Sequence, residues 1–402
     1  MEAVKAVVFK HNVDVEGLLQ IFNQMVNDCI KYALKYNISS PMKLEKALYD
    51  KFKQKYGLAT HYCISACRMA CSALKSWKRL VKKKRVNPNK PPTFKALAMR
   101  LQKELMRFKG DRILITTKPY HQVEVPLILG SYQKRFVEAW RSGELEAGEI
   151  TLLRDRAIVT FKKEVEEKEA EGYASIDVNL MSLDILKTKG DSLEYWKIDL
   201  KKLYGIRVHY FKKNRKIQKL SKFKPKTSNR LQAKYSKREK RKINDMLHKI
   251  TTSIVRKLAE GGIVPIFEEL KGLSYHATRN HYTKCKNRKV ASLPYRKIQS
   301  FIEYKMKWLG YKTHYVSAKN TSKTCPRCGS LSKVEGRVYE CRRCGYKTDR
   351  HFMACVNILR MWGIGFSPKA LNELVEREGL RMSIKDYVAQ NPSMLLQPHH
   401  NN

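Results

Sequence analysis

The sequence contains no run of about 18 apolar residues, the shortest length that forms a membrane-spanning helix. This absence excludes a protein whose chain crosses a bilayer as helices. Internal repeats and low-complexity segments are also missing. The N-terminal segment MEAVKAVVFK carries an early Glu2, and it predicts a first β-strand over residues 3–10 rather than a signal peptide.

Acidic residues are scarce. The 402 residues include 37 Asp and Glu against 82 Lys and Arg, which gives a formal net charge of +45. Because so large a charge repels itself in a compact state, it predicts binding to a polyanion. Nucleic acid is the first candidate, and an anionic membrane surface is the second. The ten cysteines, four of which we assign to a metal, fit a reducing compartment and predict a soluble intracellular protein.

The cysteines assigned to a metal have the spacing C-x2-C-x12-C-x2-C, and they are Cys325, Cys328, Cys341 and Cys344. Each pair is followed by a glycine, Gly329 or Gly345, which admits the unusual backbone angles of a tight turn. This pattern predicts a zinc ribbon, in which two turns direct four sulfurs at one ion. Four cysteines leave no open coordination position, so we expect the zinc to be structural. Two redox-active or disulfide-bonded CxxC pairs are the alternative.

The N-terminal half predicts a helical block followed by a strand-rich module. Apolar residues recur with a helical period from Val15 to about Leu80, and a proline cluster after them ends the block. Strand-like segments then follow at residues 112–117, 122–129 and 157–165. We expect the first strand to join this second module across the helical block.

Two features of the helical block each have two interpretations. Cys63, Cys67 and Cys71 repeat every four residues, which predicts buried packing residues, with a metal site as the alternative. The basic segment that ends the block is either a solvated face or a phosphate contact. Its candidate nucleic-acid-binding residues are Lys82, Lys83, Lys84 and Arg85.

The second half opens with three predicted strands that form a meander over residues 173–200. Its first strand contains Asp177 among apolar neighbours. Because an unpaired buried charge is costly, this carboxylate is either a hydrogen-bonded structural group or a metal ligand. Further along, a helix predicted from Ile243 to the glycines 261 and 262 leads to a buried strand over residues 263–270, which delivers Glu268 and Glu269.

The most basic stretch of the chain is residues 211–242, where Phe211, Phe223 and Tyr235 stand among lysines and arginines. Aromatic rings spaced through a basic segment suit a nucleic-acid groove, because the rings stack on bases while the cations follow phosphates. Packing of the rings in a core is the alternative. The candidate binding residues are Lys212, Lys213, Arg215, Lys216, Arg238, Lys240 and Arg241.

Three elements occur in the order of an RNase H-like nuclease core. They are a strand with Asp, a distant strand with Glu, and a helix that begins with an acidic residue. Hydrolysis of a phosphodiester by such a core uses two divalent ions about 4 Å apart, so carboxylates must converge from separate elements. Hard oxygen ligands of this kind suit Mg²⁺.

The chain resembles the TnpB family of transposon-encoded, RNA-guided nucleases, which is related to the compact type V CRISPR effectors. The segment IDVNL is similar to the first RuvC-type motif, FEELKGL to the second, and TSKTCPRCG…YECRRCGYKTDRHFMACVNIL to the zinc ribbon and the third. The resemblance covers most of the chain and is specific in the second half. It implies a guide RNA from the transposon end, double-stranded target DNA beside a short flanking motif, and no membrane partner. It also implies a prokaryotic, cytoplasmic protein associated with the nucleoid.

The implied fold is α+β and multidomain. The N-terminal half would hold a helical recognition block and a β-barrel wedge module, and the C-terminal half a RuvC-type, RNase H-like α/β nuclease domain with an inserted zinc ribbon. The expected boundaries are 1–14 for the first wedge strand, 15–93 for the recognition block, 94–170 for the wedge module, 171–321 for the nuclease domain, 322–347 for the ribbon, 348–366 for the third-motif helix and 367–402 for the C-terminal tail. A short amphipathic helix is predicted at residues 368–379.

The resemblance assigns the first two catalytic positions to Asp177 and Glu268. At the third, the family's usual wording is close to DRD-x-NAA-x-NI, with the second aspartate catalytic. Here His351 takes that aspartate's place, and Met353 stands where asparagine is common. Three outcomes stay open: His351 ligates a metal, with Mn²⁺ preferred over Mg²⁺; Asp349 supplies the third carboxylate; or the protein binds without cutting.

We therefore predict an RNA-guided DNA endonuclease that cuts by Mg²⁺-assisted phosphodiester hydrolysis. A cleavage-impaired, RNA-guided DNA-binding protein that acts as a repressor is the main alternative. A zinc-ribbon RNA-binding protein without enzymatic activity and a transposase that itself moves DNA are the others.

Overall fold

The computed structural model describes residues 1–270, 294–332 and 334–380. The chain forms two compact units, Glu2–Glu164 and a second made of Met1 and the residues from Val165 onward. Among the described residues, no helix combines the length and the apolar character needed to cross a bilayer. The division of these units into recognition, wedge and nuclease parts stays a prediction.

The helical part of the first unit consists of α1 (Glu16–Lys35), α2 (Pro41–Tyr56) and α3 (His61–Lys82). The facing apolar stripes of α1 and α3 are buried against each other, which removes their side chains from water. Cys63, Cys67 and Cys71 belong to the stripe of α3, and the sulfur of Cys67 lies 3.6 Å from that of Cys29. The interpretation of these cysteines as packing residues is confirmed.

The strands of the first unit, together with one helix that the sequence pattern did not predict, are β1 (Glu2–Lys10), β2 (Ala98–Leu101), β3 (Met106–Lys109), β4 (Arg112–Lys118), β5 (His121–Pro126), α4 (Ser131–Arg141), β6 (Glu146–Leu153) and β7 (Arg156–Glu164). β1 pairs antiparallel with β7 along its whole length. The predicted joining of the first strand to the later module is therefore confirmed.

The expected β-barrel is wrong, because the described strands of this unit form two open sheets. Their orders are β1-β7-β6-β2 and β3-β4-β5. A barrel requires the two outer strands of a sheet to pair, and here β1 does not pair with β2. The outer edge of β1 bonds to other groups instead: Val8 O accepts a hydrogen bond from Gln133 of α4, and Lys10 O accepts one from Ile128 N.

The centre of the second unit is a five-stranded sheet with the order β10-β9-β8-β11-β12. Its strands and the neighbouring helices are β8 (Gly172–Val178), β9 (Ser182–Lys189), β10 (Ser192–Asp199), α5 (Lys201–Lys219), α6 (Pro225–Glu260), β11 (Ile263–Glu268), α7 (Tyr295–Trp308) and β12 (His314–Val316). The antiparallel meander of β8, β9 and β10 confirms the prediction. Because β11 runs parallel to β8, the carboxyl ends of these two strands lie at the same edge.

α6 begins at Pro225 rather than at the predicted Ile243. The prediction relied on a broad apolar stripe, and the first half of α6 lacks one. Lysine, arginine and glutamine are good helix formers, however, and this half of α6 packs against α5. Residues 225–242 of the basic stretch are therefore part of α6, and residues 211–219 belong to α5.

The remaining described elements are β13 (Val334–Glu335), β14 (Val338–Glu340), β15 (Lys347–Asp349), α8 (Arg350–Met361) and α9 (Pro368–Arg377). β13, β14 and β15 form a small antiparallel sheet around the cysteines, and α9 confirms the helix predicted in the tail. Residues 271–273 of the FEELKGL motif and residues 381–402 of the tail lie outside the described residues.

Helices cover both faces of the five-stranded sheet. One core contains Ile176 of β8 with apolar residues of α6 and α7. The other contains Ile266 of β11 with residues of α8 and α9, such as Phe352. Because successive side chains of a strand point to opposite faces, Asp177 lies on the face opposite to that of Ile176. This is the face against which α8 packs.

Candidate active site and metal centre

Two carboxylates meet at the carboxyl edge of the sheet. Phe267 of β11 is opposite Ile176 of β8 in the parallel ladder, and Glu268 and Asp177 are the next residues on the two strands. Both are largely removed from solvent: Asp177 is 8% exposed. Burial and the negative charge of Asp177 raise the pKa of Glu268 to about 7, while a hydrogen bond from Thr321 acts in the opposite direction. The site therefore holds a pair of acidic groups that repel each other in a poorly hydrated environment.

His351 reaches the same site from the first turn of α8. Its Nδ1 lies 3.2 Å from Oδ2 of Asp177, and its side chain is 15% exposed. When the carboxylate is ionised, the ring nitrogen is the donor of this hydrogen bond. A histidine that donates one ring N–H to a carboxylate keeps its other nitrogen for a metal.

Asp349 serves a different purpose in the structure. It is the N-cap residue of α8, where Oδ1 accepts hydrogen bonds from the backbone N–H groups of His351 at 2.7 Å and Phe352 at 3.4 Å. Its Oδ2 accepts a hydrogen bond from Nε of Arg337 at 2.6 Å. Both oxygens are thus engaged in positioning the helix that carries His351.

The sequence interpretation missed a second buried aspartate. Asp184 of β9 stands directly opposite Asp177 and is fully buried. Its Oδ2 accepts a hydrogen bond from the amide of Asn179 at 3.0 Å, and the same amide donates to Asp177 Oδ2 at 2.7 Å. Ser182 and Tyr195 each donate to Asp184 at 2.6 Å. The signal was present, because Asp184 interrupts the apolar run LDIL just as Asp177 interrupts the strand before it.

The four predicted zinc ligands converge. Cys325 Sγ lies 3.6 Å from Cys344 Sγ, and Cys328 Sγ lies 3.5 Å from Cys341 Sγ. These distances exclude disulfides, whose sulfurs are about 2 Å apart. They fit a tetrahedral metal site, since sulfurs about 2.3 Å from a central zinc are about 3.8 Å from one another. Gly329 and Gly345 have φ angles of +72° and +66°, as the tight turns require.

Among the described residues, this cysteine cluster is the one group of three or more His, Cys, Asp and Glu side chains whose ligand atoms all lie within 4.8 Å of one another. Asp177, Glu268 and His351 are arranged more loosely than that. The arrangement of the cysteines fits a zinc-binding centre, in agreement with the predicted ribbon.

α8 connects the cysteine cluster to the acidic site. Met353 packs against Tyr339 and two of the cysteines. One turn later, the side-chain amide of Asn357 donates to the backbone oxygens of Thr321 at 2.7 Å and Thr324 at 2.8 Å. The Thr321 side chain in turn acts on Glu268, whose pKa it lowers. A single helix thus contacts the ribbon on one side and the site on the other, a link that the sequence interpretation missed.

All but one of the predicted nucleic-acid-binding residues are exposed, and they occur in both units. Lys82 ends α3, and Lys83, Lys84 and Arg85 follow it in an exposed turn of the first unit. The other set lies on α5 and the first half of α6 in the second unit, namely Lys212, Lys213, Arg215, Lys216, Arg238, Lys240 and Arg241. All but Lys213 of that set are exposed, and Lys213 lies 3.9 Å above the ring of Tyr235.

Three protein-family models match separate parts of the chain. A model described as a probable transposase, OrfB_IS605, matches residues 157–267, which include Asp177. A model described as a Cas12f1-like TNB domain matches residues 295–358, which include the cysteines and His351. The model of an uncharacterized family, MJ0013, matches residues 18–116.

A TnpB-like protein of Methanocaldococcus jannaschii is 34% identical to the chain over 259 residues, which are 64% of this chain and 92% of that relative. The chain belongs to the TnpB-like family. A second TnpB-like protein of the same organism is 27% identical over 399 residues and aligns with 96% of this chain, with 91% of its own length covered.

The TnpB-like fold of the chain also resembles a solved structure. One chain of a Cas12f1–sgRNA–target DNA complex superimposes with a TM-score of 0.54 and 15% identity, over 88% of this chain and 83% of that one. At that identity the likeness concerns the fold alone. It agrees with the expected α+β class, while the assignment of the sheet to the RuvC type stays a prediction.

Proposed function

We propose that this TnpB-like protein is an RNA-guided endonuclease that cleaves target DNA by divalent-metal-dependent hydrolysis of a phosphodiester. The observation that carries the proposal is the meeting of Asp177 and Glu268 at the carboxyl ends of two adjacent parallel strands. Ligands of parallel α/β sheets bind at that end of the strands. Two acidic groups that repel each other in a buried setting form a stable arrangement when a cation lies between them.

The donor atoms present suit a divalent cation of the magnesium class. Asp177 and Glu268 would supply the carboxylate oxygens, and His351, 3.2 Å from Asp177, would be the third ligand. Asp349 is less suited to that place, because its two oxygens bond to the start of α8 and to Arg337. When bound, such an ion acts as a Lewis acid toward the phosphate and activates water. A ring nitrogen among the ligands favours Mn²⁺ over Mg²⁺.

The charge of the chain supports nucleic-acid partners. A net charge of +45 favours the binding of phosphate backbones without regard to sequence. In the mechanism that we propose, a guide RNA from the transposon end supplies sequence specificity by pairing with double-stranded target DNA. Residues 15–93 and 94–170 would hold RNA and the flanking duplex, and the ribbon, with a structural zinc, would sit beside the active site and guide the substrate strand.

The experiment that tests the proposal uses the protein co-expressed with its own locus, so that its RNA copurifies. The complex is incubated with a plasmid that carries the guide-matched target beside a randomised flank, in Mg²⁺ and separately in Mn²⁺. We expect linear plasmid enriched for one flank, with more product in Mn²⁺. Plasmid that stays intact in both metals, with a guide-matched RNA bound to the protein, would contradict the proposed cleavage.

His351 itself favours a second candidate function. Replacement of a carboxylate ligand by a neutral imidazole removes one negative charge from the expected metal site. A site weakened in this way would leave an RNA-guided DNA-binding protein that represses transcription without cutting. Guide-dependent retention of intact plasmid on the immobilised complex, without nicks in either metal, would identify this function.

A further inference from the structure

The α5–α6 hairpin, which we define as residues 201–242, consists of α5, a tip at residues 220–224 and the first half of α6, and it carries an extreme charge. Between residues 201 and 242 the sequence has 18 Lys and Arg and one acidic residue, Glu239. That residue is paired with Arg207 at 2.9 Å. The surface of the hairpin is therefore almost purely cationic, and a polyanion is the partner whose charge complements it.

Residues 211–242 of the hairpin contain three aromatic residues, and two of them are packed within it. Phe211 and Tyr235 are half-buried, and the ammonium of Lys213 lies over the Tyr235 ring at 3.9 Å. The two helices are joined near the tip by Ser228, whose hydroxyl donates to the backbone oxygen of Ile217 at 2.9 Å. Both of these residues are buried. The hairpin thus has its own packed seam, which does not include the third ring.

That third ring, Phe223, stands at the tip and is 84% exposed. The backbone around it is fixed by a short 3-10 turn, with Phe223 N and Lys224 N both donating to Leu220 O at 3.2 and 2.7 Å. A single exposed apolar side chain is ordinary on a protein surface. Here, however, the ring lies on a hydrogen-bonded turn among exposed cations, namely Lys219, Lys222, Lys224 and Lys226.

We propose that Phe223 stacks on an unpaired nucleobase while the lysines of the tip hold the adjoining phosphates. Each base has an aromatic face that stacks on such a ring, and the stacking is worth about 1–3 kcal/mol per base in proteins that bind single strands. In a duplex those faces are covered by neighbouring base pairs, so the tip distinguishes single-stranded from paired nucleic acid. The inference rests on the proposed function only in that the partner is nucleic acid, and it holds whether or not the protein cuts.

The test measures binding of the full chain, freed of copurifying RNA, to labelled 20-mers. The probes are one sequence as single-stranded RNA, as single-stranded DNA and as a blunt duplex, each over a series of salt concentrations. We expect Phe223→Ala to weaken single-strand binding by about 5- to 150-fold, which is 1–3 kcal/mol, with the dependence on salt unchanged. The tip binds the type of single strand, RNA or DNA, for which Phe223→Ala loses more affinity.

Three further variants separate stacking from apolar contact and from charge. Phe223→Trp keeps an aromatic face and should bind single strands like the wild type, whereas Phe223→Leu should bind like Phe223→Ala. Lys222→Ala should instead reduce the slope of log affinity against log salt by about 0.7, as expected for one phosphate contact. Because these side chains are exposed, all variants should unfold at the wild-type temperature.

The proposal is overturned if Phe223→Ala binds single strands as tightly as the wild type, or if it weakens duplex binding as much as single-strand binding. It is also overturned if Phe223→Leu binds single strands as tightly as the wild type. None of these results bears on guided cleavage. Conversely, a complex that fails to cut leaves the predicted loss of single-strand affinity intact, so the two proposals fail by different measurements.

Discussion

At the residue scale, the chemistry of the site depends on which side chain joins Asp177 and Glu268. Asp349 and His351 are two residues apart, yet the structure uses them differently. Asp349 caps α8 and pairs with Arg337, whereas His351 bonds to Asp177. The side chain that faces the carboxylates is therefore the imidazole, which binds softer divalent metals better than Mg²⁺.

The first prediction concerns His351. We expect His351→Asp to raise cleavage in Mg²⁺ relative to Mn²⁺, because it adds an oxygen ligand in place of a nitrogen. His351→Ala should lower the cleavage rate in both metals by about 10- to 100-fold, which is typical when a residue that supports a metal site is removed. The measurement is the rate of guided plasmid cleavage by each variant in the two metals.

Asp349→Asn is the matched control for that prediction. Asparagine caps helices about as well as aspartate, so the start of α8 is retained while the negative charge is lost. We expect its ratio of Mn²⁺ to Mg²⁺ rates to equal that of the wild type. Loss of cleavage in Asp349→Asn together with full activity in His351→Ala would show that Asp349, and not His351, acts with the two carboxylates.

Sequence reasoning found Asp177 and Glu268 because each interrupts or ends a strongly apolar strand. It left open the choice between Asp349 and His351, since that choice depends on which way two side chains of one helical turn point. Asp184 was missed for a related reason. Its place in an apolar run is explained by the side chains that donate hydrogen bonds to it, Asn179, Ser182 and Tyr195, and these contacts are known only from the structure.

At the scale of elements, α8 is the part on which the site depends. It carries His351 at its start, and its other face holds the ribbon through Met353, Asn357 and Arg360, whose guanidinium donates to the backbone oxygen of Pro326. Around the cysteines the core is small, so a metal is expected to supply much of the stability there. Loss of the metal should therefore disturb the position of His351.

The second prediction is that removal of zinc disables the site. Cys341→Ser, or treatment with a strong chelator, should release one zinc per chain and lower the unfolding temperature by at least several degrees, at about 2–4 °C for each kcal/mol lost in a unit of this size. Guided cleavage should fall in parallel. Zinc content by mass spectrometry, thermal unfolding and cleavage are measured on the same preparations.

Cys71→Ser is the control, because Cys71 belongs to the other set of regularly spaced cysteines, on α3 of the first unit. Its zinc content should equal that of the wild type. A Cys341→Ser protein that lacks zinc but cuts at the wild-type rate would mean that the ribbon does not support α8.

Elements were predicted best where one face is buried. The stripe of α1 and the meander of β8–β10 were found for this reason, and β1 was correctly joined to the later strands. The predicted barrel was wrong because closure depends on which strand edges pair. Here Gln133 and Ile128 donate hydrogen bonds to the outer edge of β1 instead. The first half of α6 was missed because its partner is α5 rather than the core.

At the scale of the whole molecule, the positive charge and the acidic pair are distributed differently. The net charge of +45 is spread over both units, whereas the acidic pair lies in the second unit. Composition alone indicated a polyanionic partner, and the order of the strands indicated where two carboxylates would converge. The identity of the guide and of the flanking motif depends on sequences outside this chain, so no pattern within it could predict them.

The assignment of the active site to Asp177 is tested by a comparison of guided cleavage by the wild type and by Asp177→Ala, each purified with its RNA. Asp191→Ala, an exposed aspartate in the turn between β9 and β10, is the control. Asp177→Ala removes the proposed metal ligand and also a charge that repels Glu268, so folding and RNA content should be retained.

We predict that Asp177→Ala retains its RNA and produces no linear or nicked plasmid, while Asp191→Ala cuts like the wild type. Persistent guided cutting by Asp177→Ala would contradict the assignment of the active site to the edge where β8 and β11 meet.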